Sequence, residues 1–384
     1  MTLNDICEFI VDCPHSTAKD EGAGYPLIRT PNVGRGRLLL TDVHRVSEAV
    51  YKMRNLRATP QDDDLIMARE APAGNVAIIK NGEKVCLGQR TVLLRPDKAK
   101  VCPDFLVYYL LAPQQQYSLL GTANGATVAH VNIPVIKNLP VSMPPLEVQR
   151  KVAGVLSAYD SLIETNQRQI KLLEEAARRL YREWFVDLRF PGHEDVPVVD
   201  GVPEGWKKER LVDIAEVQYG YAFDGMLFNT DREGTPIVRI RNIPDGTTED
   251  YTTERADDQY LVVNGDIVVG MDGEFHINSW SGQTAYLVQR TCRIRPKAPN
   301  MNGWLLWAIH EPIKYFEKTV VGATVAHLGK KHIDTITLLT GTEELYKPFQ
   351  DMFEKRQTLL NQNRALSEAR DRLLPKLMSG EIAV

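Results

Sequence analysis

The chain has 384 residues, enough for two or three domains, and its 43% apolar and 25% charged content is that of a folded protein with a sizeable core. A net charge of −4, with an isoelectric point near 6.1, excludes a chain that is basic throughout, so any contact with nucleic acid must rest on charge segregated by face. No apolar run approaches the roughly 20 residues a membrane span needs, the N-terminal MTLNDICEFI lacks the pattern of a secretory signal, and the five cysteines (Cys7, Cys13, Cys86, Cys102, Cys292) are odd in number without CxxC spacing. They read as reduced thiols of a cytoplasmic protein.

In chain order, residues 1–143 read as a mixed, β-rich globule. VAIIK and VCLGQRTVLLR are short β-rich runs bounded by Gly, Asn or Pro, and residues 104–111 (DFLVYYLL) form a helix whose aromatics are better suited to core packing than to base stacking. Residues 29–57 hold Arg29, Arg35, Arg37, Arg45, Lys52, Arg54 and Arg57, and Asp62-Asp63-Asp64 follows; composition alone makes these solvated surface. Cys7, Cys13 and His15 lie close together but lack tetrahedral zinc spacing.

Residues 144–190 form a helical spacer. Pro144-Pro145 blocks helix before it and Pro191-Gly192 ends it. Leu156, Tyr159, Ile163, Asn166, Ile170, Leu173, Ala177, Leu180 and Trp184 alternate spacings of three and four, the seam of a coiled coil. About 40 helical residues make a rod of roughly 60 Å, too long to bury its seam in one small domain, so it needs a partner helix.

Residues 191–341 hold a linker, then a second globule. PGHEDVPVVDGVPEGW is rich in proline, glycine and acid and reads as a connector; GDIVVGMD and TAYLVQRTCRIR are strands, and residues 304–310 (WLLWAIH) a helix. This half repeats the first at an offset of about 200 residues. Leu3-x-Asp5-Ile6-x-Glu8 recurs at Leu211, Asp213, Ile214 and Glu216; Pro26-Leu27-Ile28-Arg29-x-x-Asn32-Val33 recurs at Pro236, Ile237, Val238, Arg239, Asn242 and Ile243. Asp64-Leu65-Ile66-Met67 answers to Asp266-Ile267-Val268-Val269, and Gln89-Arg90-Thr91 to Gln289-Arg290-Thr291. GATVAH at residues 125–130 returns letter for letter at 322–327.

Residues 342–384 form the distal helical spacer. Met352, Leu359, Leu366 and Leu373 make one apolar column flanked by Phe353, Leu360, Leu374 and Leu377, with Asn363, like Asn166, on or beside the seam. The fold expected is α+β: two similar mixed β-rich globules separated by two long antiparallel helices that form a coiled coil.

At this point the chain resembles the specificity subunits of type I restriction-modification systems. Pro144-Pro145-Leu146-x-x-Gln149 is similar to that family's central region, and Asp371-Arg372-Leu373-Leu374-Pro375-Lys376-Leu377-Met378-Ser379-Gly380-Glu381-Ile382 to its C-terminal signature. Pro203-Glu204-Gly205-Trp206 resembles the opening of a target recognition domain, and the GATVAH pair the loop ending each one. The first half lacks a Pro-x-Gly-Trp opening before Leu3. The resemblance implies that the two globules are target recognition domains reading a bipartite target in double-stranded DNA. It also implies docking of two modification (methyltransferase) subunits, with restriction subunits joining for cleavage. It places S-adenosylmethionine on the modification subunits and ATP and magnesium on the restriction subunits, with no cofactor bound by this chain.

The repeated polar residues supply the first candidates for DNA contact: Arg29, Asn32, Gln89, Arg90, Arg239, Asn242, Gln289 and Arg290, with Thr127, His130, Thr324 and His327 in the Gly-Ala-Thr loops. Residues shared by both halves cannot explain different letters being read, so they suit phosphate contact or the fold. Base-specific residues are expected where the halves differ, at 34–57, 69–75 (beginning with Arg69), 245–255 and 271–280. No catalytic residues are expected: the Asn/Asp-Pro-Pro-aromatic motif of such an adenine methyltransferase and the phosphate loop of an ATPase are both missing. The alternative, suggested by the acidic net charge, is a degenerate specificity subunit or purely structural interaction scaffold that reads no DNA.

Overall fold

The computed structural model describes residues 1–121, 130–319 and 326–384. It divides into two compact units: residues 1–162 with 366–384, and residues 163–365. Each contains one globule and a share of both long helices.

In the first unit a five-stranded sheet runs in the order Cys7–Asp12, Thr91–Pro96, Leu65–Ala68, Val76–Ile78, Gly36–Arg37. The central strand is buried at every position and the sequence there is uninterruptedly apolar (LIMA), as a strand covered on both faces requires. A three-stranded sheet pairs Tyr25–Ile28 antiparallel with Arg45–Val46 and parallel with Cys86–Leu87. Asp64 enters the central strand with its carboxylate held by Arg95 at 2.8 and 2.7 Å, so the buried charge is paired in bidentate fashion.

The second unit repeats the core of this plan, without a counterpart of Gly36–Arg37 and with Phe228–Asn229 and Leu261–Val262 added to its mixed sheet. Ala215–Tyr219, Thr291–Pro296, Ile267–Gly270 and Ile277–Ser279 reproduce the first four strands, and Tyr251–Thr252, Thr235–Val238 and Ala285–Leu287 reproduce the mixed sheet with its parallel pair. Asp266 and Arg295 repeat the buried ion pair at 2.8 and 2.7 Å. The repeated Leu-x-Asp-Ile block closes each globule alike: Leu3 and Leu211 are fully buried, and their N–H groups donate to the Leu139 and Ile336 carbonyls. The sequence-predicted helices 104–111 and 304–310 are Pro103–Leu111 and Asn302–Ala308, with Phe105 and Trp304 in the cores. A Cβ on Gly303 would lie 2.1 Å from the Phe349 carbonyl oxygen, so the close approach of helix 302–308 to the distal helix depends on glycine.

The central helix spans Leu146–Tyr181 and ends in a widened turn, Arg182–Val186; the distal helix spans Lys347–Ser379. Gln149 explains its motif: its buried amide accepts from the Cys102 N–H at 2.8 Å and donates to the Pro144 carbonyl at 2.8 Å, tying the long helix to the short one. Gln350 does the same in the second unit, accepting from the Gly303 N–H. The two helices pair antiparallel within each unit. In the first, Leu156 shares a core with Leu374 and Leu377, and Asp160 accepts from Tyr108 at 2.5 Å and Arg370 at 2.6 Å. In the second, Asn166 meets Gln362 at 3.4 Å and Glu174 meets Arg356 at 2.6 Å.

The seam departs from the expected one at three places. Asp160, not Tyr159, takes the buried position after Leu156, because Tyr108 and Arg370 satisfy its charge. The widened turn makes Phe185 the buried residue, clustered with Trp206, Trp304 and Phe349 at 5.1, 5.8 and 5.9 Å, while the half-buried Trp184 packs edge-on against Phe349 at 5.9 Å. Arg356 and Gln357 are buried because the distal helix packs against its own globule there, Arg356 donating to Ser279 and Asn278. The expected bare connector carries a short pairing of Val198–Val199 with Val202–Pro203, and Trp206 of the Pro-Glu-Gly-Trp block is a core residue.

Candidate nucleic-acid interface

At one end of the first globule's sheet three segments meet. The Arg69 N–H donates to the Arg90 carbonyl at 2.8 Å, and the Val131 N–H donates to the Arg69 carbonyl at 2.9 Å. Arg90 sits in the left-handed region (φ 63°), which turns its side chain out of the strand that follows. Between these segments lies Glu70. One oxygen is 2.5 Å from His130 Nδ1, the other 2.5 Å from Arg90 Nη1. The guanidinium of Arg69 faces His130 Nε2 at 2.9 Å; since arginine only donates, His130 accepts at Nε2 and carries its proton on Nδ1. Arg69 also donates to the Val131 carbonyl at 2.9 Å and to Asp12 at 3.2 Å, and Asp12 in turn meets His15 at 3.2 Å. Gln89 donates to the His15 carbonyl at 3.1 Å.

The second globule builds the same constellation. Arg290 is left-handed (φ 69°), the Met271 N–H donates to its carbonyl, and the Leu328 N–H donates to the Met271 carbonyl. Asp272 lies 2.5 Å from His327 Nδ1 and 3.4 Å from Arg290 Nε. The Arg90 and Arg290 side chains are 63% and 56% exposed, so each cluster offers a guanidinium and an imidazole to solvent while its carboxylate stays largely covered. A pre-positioned guanidinium beside an imidazole is a site for phosphate, the arginine giving a bidentate fork.

Arg69, Gln89, Arg90 and His130 are thus brought together, as are Arg290 and His327. Gln289 is exposed beside Arg290, its side chain unpartnered among the described residues. Arg29, Asn32, Arg239 and Asn242 have a different place. The Asn32 and Asn242 side-chain oxygens accept from the Arg29 and Arg239 N–H groups at 3.1 and 2.8 Å, closing one tight turn in each unit. Their amide nitrogens donate to Leu39 O and to Asp250. Both asparagines are therefore spent on the fold, while the Arg239 guanidinium lies over Phe228 at 5.5 Å. Thr127 and Thr324 lie outside the described residues.

Part of the basic stretch 29–57 has a structural role, although Arg35, Lys52 and Arg57 remain exposed. Arg54 is buried and donates to the Leu87, Ser16 and Pro14 carbonyls, and burial pulls its ionisation below the usual arginine value. Arg57 donates to the Asp12 and Cys13 carbonyls and Arg35 to that of Leu111. Sequence reasoning did not name Glu70 and Asp272. Their common signal was charge type at matching offset, one Glu and one Asp, which a comparison of identical letters passes over. Among the described residues no His, Cys, Asp and Glu cluster could hold a metal ion, and burial pushes the Cys7 thiol up to about 12. No helix among them is long and apolar enough to cross a membrane.

One α+β plan occurring twice, each copy with an Arg–carboxylate–His cluster at a sheet end, defines a duplicated recognition scaffold rather than a single catalytic cleft. Residues 1–175 and 203–339 match the family described as type I restriction modification DNA specificity domain, and the chain belongs to that family. It is 26% identical over 391 residues to the type I restriction enzyme MjaIX specificity subunit of Methanocaldococcus jannaschii, covering 97% of this chain and 87% of that one. It is 20% identical over 443 residues to the type I restriction enzyme HindI specificity subunit of Haemophilus influenzae, covering 93% and 95%. The crystal structure of a type I restriction-modification system S subunit from M. genitalium shares the fold, with a TM-score of 0.53 at 16% identity over 98% of this chain and 95% of that one. Such specificity subunits are non-catalytic; the catalytic activities of these systems lie in other subunits.

Proposed function

We propose that the chain reads a bipartite sequence in double-stranded DNA, one half-site per globule, and scaffolds two modification subunits on its paired helices. The observation that carries this is the duplicated Arg–carboxylate–His cluster, Arg90–Glu70–His130 and Arg290–Asp272–His327, in globules joined to the same two helices. Being shared, the clusters suit the sequence-independent part of the interface, phosphate contact that fixes register. Base reading then falls to segments that differ between the halves, 34–57 and 69–75 against 245–255 and 271–280. Half-sites recur on one face of a duplex every 34–36 Å or so, within reach of helices this long. Lengthening both helices should therefore change the spacing of the target without changing its letters.

Under this reading the chain needs no cofactor of its own. S-adenosylmethionine sits on the modification subunits, ATP and magnesium on restriction subunits that join for cleavage, and the assembly works in the cytoplasm. The test is methylation mapping of cells carrying the whole operon. Deleting this chain alone should abolish the bipartite mark, and substituting Arg90 and His130 together should weaken it. A methylome unchanged by the deletion overturns the proposal.

A further inference from the structure

The second unit contains a half-open cleft of about 590 Å³ between the end of the central helix and helix 302–308. Arg178, Arg179, Tyr181 and Arg182 come to it from the central helix, and Trp307, His310 and Glu311 from the other side. Three guanidiniums share the cleft with one carboxylate, Glu311, which is 82% exposed and lies 3.6 Å from His310 Nδ1. Arg179 is paired with Glu175 one turn back, but no ion pair among the described residues engages Arg178 or Arg182. These two lie four apart on one helix face, where like charges repel, so the wall carries two guanidiniums that no ion pair among the described residues neutralises.

The fold does not demand this cleft. In the first unit the helix Pro103–Leu111 occupies the place of helix 302–308, and the following residues run on to Pro113 where the second unit has Pro312. Matched on those prolines, Tyr108 stands where Trp307 does, but its hydroxyl is bound to Asp160, and Leu111 and Ala112 replace His310 and Glu311. The Trp307–His310–Glu311 side of the cleft is an addition made in one copy only.

We infer that this cleft binds a nucleoside polyphosphate as an effector, its phosphates on Arg178 and Arg182 and its base against Trp307. The volume is that of a small-molecule site, paired guanidiniums match phosphate oxygens in bidentate geometry, and an indole face stacks on a purine. Glu311 opposes the phosphates and selects a ligand whose charge stays on the arginine side. The assignment is independent of how the globules read DNA.

The test is equilibrium dialysis of the full chain in metal-free buffer with ATP, inorganic triphosphate and adenosine as separate probes. ATP should bind saturably and more tightly than triphosphate, with adenosine weakest. The exposed double substitution Arg178→Gln/Arg182→Gln should weaken ATP binding by at least about tenfold while leaving the melting temperature unchanged, since two charge-assisted contacts are lost. Trp307→Leu should lower affinity for ATP but not for triphosphate. The inference fails if ATP shows no saturable binding below about 1 mM, or if the double variant binds as the parent does. It also fails if a duplex of unrelated sequence displaces ATP and loses affinity to the same variant, which would make the wall a nucleic-acid backbone contact.

Discussion

The two globules differ most instructively behind the cluster they share. In the first, His130 Nε2 is held by Arg69, Arg69 by Asp12, and Asp12 by His15, a continuous polar chain beneath the exposed Arg90. Strand register puts Tyr219 and Met271 at the places of Asp12 and Arg69 in the second. There His327 Nε2 has no partner among the described residues, and the Tyr219 hydroxyl is buried without one. The Arg–carboxylate–His unit survives this replacement and the chain beneath it does not. The fold therefore does not require the supporting network, which instead decides how rigidly each imidazole is held.

The largest effect should come from cutting that network. Asp12→Ala leaves the Arg69 side chain, 11% exposed, without its carboxylate and should cost about 3 kcal/mol in denaturant titrations. The corresponding change in the second unit, Tyr219→Phe, removes an orphaned hydroxyl and should be neutral or stabilising by up to about 1 kcal/mol. Equal losses at the two positions would erase the distinction between the globules.

Next in size are the carboxylates themselves. Asp272→Ala takes away the one acid that, among the described residues, holds His327 and Arg290 and should weaken binding to its half-site by about tenfold. Glu70→Ala should cost only a few-fold at the other half-site, because Arg69 still holds His130. Binding to duplexes with one half-site scrambled at a time separates the two, and the reverse ranking would break the comparison.

Why the strands, the long helices and the duplication were legible while the clusters were not follows from the range of the interactions involved. Periodic apolar residues and proline gates act over one or two turns, so the central helix declares itself within Pro144 to Tyr181. The buried Asp160 lies on a helix face whose neighbours, Tyr108 and Arg370, are 52 and 210 residues away. No local pattern marks such a residue as core. The same holds for Arg54, whose acceptors at Ser16 and Leu87 turn an apparent surface cation into a clamp. Asn32 and Asn242 were found as repeated letters, but only backbone geometry shows that they close turns. Glu70 and Asp272 needed comparison by charge.

A smaller effect concerns accessibility of the thiols. Cys7, Cys13, Cys86 and Cys292 are buried and Cys102 is half-buried, so a thiol reagent at pH 8 should label Cys102 first. Labelling of Cys7 or Cys86 at the same rate, resolved by peptide mass spectrometry, would mean that the first globule opens far more readily than its packing implies.

The smallest effect at neutral pH, where it vanishes, is a difference in how the units respond to alkali. Burial pushes Cys7 up to about 12 and Cys86 to about 11 and raises Cys13 in the first unit; in the second, burial pushes Cys292 up to about 12. Their ordinary value is 9.0, at which the unfolded chain ionises. Below that pH both states hold the proton and the stabilisation is intact. Above it the unfolded state gives up protons that the folded state retains, and stability falls until the folded thiols themselves ionise, at a limiting slope of about 1.4 kcal/mol per pH unit per thiol. Buried tyrosines add to this in both units, but their ordinary value is 10.0, so between pH 9 and 10 the thiols dominate. With three such thiols against one, hydrogen exchange in the first unit should accelerate more steeply over that interval, and Cys7→Ala with Cys86→Ala should flatten it. Equal slopes in the two units, or no change in the variant, would show that these thiols are not held protonated by their surroundings.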